Sequence, residues 1–144
     1  MTSKYLGFPA QRSSIEPPWI LAVDDDEDNL LLLTYVLREL GYSVSGTTES
    51  DEVLPLAISQ QPRLILLDII LPKIDGFELL RHLRNNPQTC QTTVIATTGL
   101  AFPEDRKRLL TAGFDDYISK PYLISDVEVL INKYLQPSCY RQIS

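Results

Sequence analysis

From residue 19 onward the chain alternates between short apolar runs and longer stretches in which apolar residues recur every three or four positions. The first kind reads as buried strands, the second as amphipathic helices. Strands are predicted over 19–24 (WILAVD), 42–47 (YSVSGT), 63–68 (RLILLD), 92–97 (TTVIAT) and 114–119 (FDDYIS). A helix over 26–40 follows from Leu30, Leu33, Leu37 and Leu40, with Gly41 where a helix end favours glycine. A second, over 49–60, contains Pro55, which removes a backbone donor and either kinks the helix or delays its start. Asp75 and Glu78 have the spacing of a capping box and open a third helix running to about Asn86. Pro103 and Gly113 bracket a fourth, and Leu123 to Leu135 form the last.

Strand and helix therefore alternate through 19–135, and the strands are too uniformly apolar to leave one face in water. The expected architecture is α/β: a doubly wound, five-stranded parallel sheet in the order 2-1-3-4-5. Residues 1–18, ending at Pro17-Pro18, are read as a flexible extension and 136–144 as a tail, too short for an output domain. At 144 residues the chain suits one domain, here expected to stand alone. A net charge of −6 argues against direct nucleic-acid binding. The longest apolar run, Leu64 to Leu67, does not span a bilayer, and no secretory leader is visible. Cys90 and Cys139 lack metal-ligand spacing, so a cytoplasmic protein with reduced thiols is expected.

Chemistry collects at the strand ends. Such sheets bind ligands at the carboxyl ends of the strands, where the strand order reverses, here between the first and third strands. Asp24 and Asp25 end the first strand, and Asp68 ends the third. These carboxylates repel unless a cation neutralises them, and Mg²⁺ with oxygen ligands is the natural choice. Asp26, Glu27 and Asp28 complete the acidic run in the first turn of a helix, where the macrodipole favours negative charge. The fourth strand leads into Thr97-Thr98-Gly99 and the fifth into Ser119-Lys120-Pro121, which add a hydroxyl and an ammonium. The set suits a phosphoryl group, whose transfer depends on positioning and charge neutralisation, and a carboxylate can be the nucleophile. His82 lies in a helix away from the strand ends, and Asp115-Asp116, at the opposite edge of the sheet, read as solvated charge.

In VDD (23–25), LLDIILPKIDG (66–76), ATTG (96–99) and SKPY (119–122) the chain closely resembles the receiver domain of two-component response regulators, a flavodoxin-like (βα)5 fold. The resemblance implies that Asp68 is the phosphoacceptor, taking its phosphoryl group from a sensor histidine kinase or histidine phosphotransfer protein. It makes Asp24, Asp25, Asp68 and the backbone carbonyl of Ile70 the Mg²⁺ ligands. Thr98 becomes the hydroxyl that grips the phosphoryl group, Lys120 its ammonium partner, and Lys120-Pro121 a cis peptide. Tyr117 matches the aromatic switch that repacks the face of helix four, strand five and helix five, where an unnamed protein target or a homodimer partner binds. Ile70 and Leu100 occupy positions that influence hydrolysis; both are apolar, which implies slow self-dephosphorylation. No other catalysis is expected.

Two rivals are weaker. A haloacid-dehalogenase-like phosphatase would use Asp24 and Asp26 but leaves Asp68 unexplained, and only Asp126 and Glu128 follow the lysine, within a helix. A degenerate receiver would lack part of the acidic pair, acceptor or lysine, and all of these are present.

Overall fold

The computed structural model describes residues 19–99 and 103–135. Leu100 and the expected extension and tail lie outside the described residues. The strands are β1 (Ile20–Val23), β2 (Val44–Thr47), β3 (Leu64–Asp68), β4 (Thr93–Thr98) and β5 (Asp116–Ser119). The helices are α1 (Glu27–Glu39), α2 (Val53–Gln60), α3 (Gly76–Arg84), α4 (Pro103–Ala112) and α5 (Ile124–Leu135). All strand pairs are parallel, in the order β2-β1-β3-β4-β5. Every residue of β1, β2 and β3 is buried, as strands covered on both faces require.

Alternate strand residues divide the core into two layers. On one face Leu21, Ile65, Leu67, Val94 and Ala96 pack with Val53 and Ala57 of α2, Leu79, Leu80 and Leu83 of α3, and Leu109 of α4. On the other Ile20, Ala22, Leu66 and Ile95 pack with Leu30, Leu33 and Leu37 of α1 and Val127 and Ile131 of α5. The sheet is thus clamped between helices, and its loops at the carboxyl end are free to carry chemistry.

Pro55 delays the second helix. A 3-10 turn over Ser50–Glu52 takes the chain to Val53, leaving Pro55 in the first helical turn, where its missing N–H has no intrahelical partner to lose. The Asp75 cap is present: its carboxylate accepts from the Glu78 N–H at 2.9 Å. Glu78 itself lies 3.6 Å from Arg81. Gly113 takes φ +116° after α4, a left-handed position that suits glycine. The Lys120-Pro121 peptide is cis.

Candidate functional site

The acidic run divides where β1 ends. Asp24 is 2% exposed, and its Oδ1 accepts the backbone N–H of Asp26 at 2.8 Å. Asp26 caps α1, accepting from the N–H groups of Asp28 at 3.0 Å and Asn29 at 3.2 Å, so part of the run begins a helix. Glu27 and Asp28 occupy its first turn. Asp25 is exposed beside the buried Asp24.

Parallel pairing of β1 with β3 brings Asp68, the last residue of β3 and 4% exposed, to the same place. One carboxylate oxygen from each of Asp24, Asp25 and Asp68 lies within 4.8 Å of the others. Lys120, just past β5, reaches into the group: its Nζ donates to Asp68 Oδ2 at 2.9 Å and to Asp24 Oδ2 at 3.4 Å. The backbone helps to place it, because the Lys120 N–H donates to the Thr98 carbonyl at 2.6 Å. Thr98 closes β4 with its side chain fully buried.

Among the described residues, Lys120 thus pairs with two of the three carboxylates, Asp24 and Asp68, and Asp25 adds a third beside them. Burial raises the Asp68 carboxyl above its ordinary range and the charge of Asp24 adds to this, outweighing the lowering effect of the Lys120 hydrogen bond and charge. For Lys120, burial acts to lower the pKa, but the hydrogen bonds and charges of Asp68 and Asp24 overcome it and the net shift is upward. A buried carboxylate that resists ionisation beside a fixed cation is a frequent mark of a reactive group. The donor set fits a hard divalent cation: every side-chain ligand is oxygen, and the negative charge exceeds what Lys120 neutralises.

The loop after Asp68 is held tightly to the site. The Ile70 N–H donates to Asp68 Oδ1 at 3.2 Å, and the Gly76 N–H donates to the Ile69 carbonyl at 2.7 Å. A Cβ on Gly76 would sit 2.8 Å from Ile69 Cα and 2.9 Å from the Asp68 carbonyl oxygen, so only glycine permits this fold-back. Farther along, Lys73 pairs with Glu49 at 3.4 Å and Asp51 at 3.3 Å, tying the loop to the one after β2. Sequence reasoning gave Lys73 no role, and nothing local in the chain marks a pair formed across two loops.

Tyr117 lies apart from the carboxylates, on β5 opposite Ala96, while Ser119 pairs with Thr98. Its ring is half-buried against the core, with the Arg106 guanidinium 5.7 Å from its centre. His82 is a surface residue 3.9 Å from Glu78. Asp115 and Asp116 differ from the solvated charges expected of them. Asp115 Oδ2 accepts from Arg84 at 3.0 Å and from the Val94 N–H at 2.8 Å. Asp116 Oδ2 accepts from the Tyr134 hydroxyl at 2.9 Å and Lys133 at 3.4 Å. These acids fasten the start of β5 to its neighbours.

The sequence profile of the response regulator receiver domain matches residues 20–132. The polar-differentiation response regulator DivK of Brucella anthropi is 34% identical over 119 residues, which cover 83% of this chain and 97% of that protein. The DNA-binding dual master transcriptional regulator RpaA of Synechocystis is 36% identical over 114 residues, 79% of this chain; the match spans only 46% of RpaA, about half its length. Among solved structures, the receiver domain of sensor histidine kinase PA1611 from Pseudomonas aeruginosa, described with a magnesium ion in its active-site cleft, has a TM-score of 0.75 at 29% identity, covering 83% of this chain and 98% of that one. No described helix is long and apolar enough to cross a membrane. With its strand order, its acidic strand ends and a match over most of its length, this chain belongs to the response regulator receiver domain family.

Proposed function

We propose that Asp68 accepts a phosphoryl group from a phosphohistidine on a sensor kinase or phosphotransfer protein. The observation that carries this reading is the position of its carboxylate: buried at the end of β3, 2.9 Å from Lys120 and beside Asp24 and Asp25. An Asp68 carboxylate oxygen forms a bond to phosphorus as the P–N bond breaks, and the electron pair of that bond returns to the imidazole nitrogen. The product is an acyl phosphate. Asp24, Asp25, Asp68 and the Ile70 carbonyl would hold Mg²⁺, which when bound neutralises phosphoryl oxygens. Lys120 supplies fixed positive charge at the acceptor, and Thr98 a hydroxyl at the adjoining strand end.

Transfer then acts on a partner-binding surface. In this reading Thr98 and Tyr117 relay the change to the face of α4, β5 and α5, where Leu110 and Val129 are exposed. The chain is a signalling domain whose only chemistry is gain and loss of its own phosphoryl group. The apolar side chain of Ile70, 66% exposed beside the acceptor, offers no group to orient an attacking water, which favours a long-lived product.

Acetyl phosphate with Mg²⁺, followed by intact-protein mass measurement, tests the proposal. Wild type is expected to gain one phosphoryl group and keep it well beyond seconds, with no gain without Mg²⁺ or in Asp68→Asn. No gain in wild type would point to the degenerate receiver. A gain that survives the substitution would move the acceptor, and repeated turnover of excess phosphoester would favour a phosphatase.

A further inference from the structure

The helix α4 is lightly held. Of its residues only Leu109 is buried, whereas α1 and α3 each bury four and α5 three. Two arginine–aromatic contacts supplement that anchor. The Arg108 guanidinium lies 4.3 Å from the centre of the Phe77 ring, which meets Phe114 edge-on at 5.7 Å. The Arg106 guanidinium lies 5.7 Å from the centre of the Tyr117 ring.

The two platforms differ. Phe77 stands on α3 and is wedged against another aromatic ring, so Arg108 over it is a fastening. Tyr117 stands on the edge strand β5, half-buried, two positions before the residue that pairs with Thr98. We infer that Arg106 is a positioning residue: its stack holds the Tyr117 ring toward α4 and sets how readily the relay responds to phosphorylation. This inference rests on the acceptor reading given above. A guanidinium is attracted to the electron-rich face of the ring, and at an exposed site the attraction favours the stacked arrangement by about two- to fivefold. Turning the ring away from α4 breaks that contact. A ligand at Asp68 that favours the turned ring must overcome the stack, and by reciprocity loss of the stack strengthens binding of that ligand.

The test uses the full chain with ring-¹³C tyrosine, the Tyr117 line being assigned from Tyr117→Phe. Wild type, Arg106→Gln and Arg108→Gln are each titrated with beryllofluoride, a phosphoryl mimic, in Mg²⁺. Arg106→Gln is expected to shift the Tyr117 ring line before any mimic is added and to tighten beryllofluoride binding about two- to fivefold. Arg108→Gln loosens α4 without either effect. An unmoved ring line, an unchanged affinity, or equal tightening in Arg108→Gln would overturn the role of Arg106 alone. Failure of beryllofluoride to bind wild type would overturn the acceptor reading and the role of Arg106 with it.

Discussion

Asp24-Asp25 and Asp115-Asp116 are the same dipeptide at opposite ends of one sheet, and their surroundings treat them in opposite ways. At the start of β5 each acid has its own cation, Arg84 for Asp115 and Lys133 for Asp116, and both also accept neutral donors. At the end of β1, among the described residues, the one ammonium of Lys120 meets Asp24 and Asp68, and Asp25 beside them leaves negative charge over. Paired charge fastens elements together; unpaired charge held in place by a rigid sheet is available to a ligand. An acidic pair therefore has no fixed meaning until its counter-ions are counted.

The comparison breaks most severely at Arg84. Its guanidinium donates to the carbonyls of Cys90, Thr92 and Gly113 as well as to Asp115, closing two loops onto α3. Arg84→Ala is expected to cost about 2–3 kcal/mol in urea denaturation, since hydrogen bonds to charged groups are worth that much. Mass gain from acetyl phosphate at Asp68 should persist under conditions where the variant remains folded.

Asp68→Asn should move stability the other way. It removes a buried charge that burial and Asp24 both disfavour, so a gain of about 0.5–2 kcal/mol is expected in metal-free buffer. A stability loss as large as that of Arg84→Ala would mean that the two acidic clusters do the same job.

The smallest effect is at Tyr134, whose hydroxyl donates to Asp116 Oδ2 at 2.9 Å, with the Asp115 carbonyl oxygen 3.0 Å away. Burial, then the Asp116 hydrogen bond and the nearby acidic charges, push it up from 10.0 to about 12. The folded protein thus keeps a proton that the unfolded chain has lost. Its contribution is complete below the unfolded value and disappears as pH rises through the folded one. Tyr134→Phe should cost about 1 kcal/mol near neutrality and make the alkaline decline shallower, as read from urea midpoints across the alkaline range.

Much of this was legible in the chain. Uniformly apolar runs gave the parallel sheet, and a buried strand ending in Asp68 gave the third carboxylate its place beside Asp24 and Asp25. Pro55 signalled either a kink or a late start for α2, and the structure has the late start. The fastening at the start of β5 was not legible, because Arg84 lies 31 residues from Asp115 and 29 from Gly113 and looks in sequence like a surface charge at a helix end. The Arg106 stack escaped for the same reason: its ring stands on another element. Local pattern reports what a residue's neighbours in the chain require, and these residues are placed by neighbours in space.

The turn at Gly76 has a consequence for how such a domain diverges. Backbone there meets backbone, so no choice of rotamer makes room for a larger residue. Descendants of this sequence can trade charges at the rim and re-address the signal to new listeners. They are expected to keep this one corner, because a side chain at position 76 would displace the peptide from which Asp68 projects.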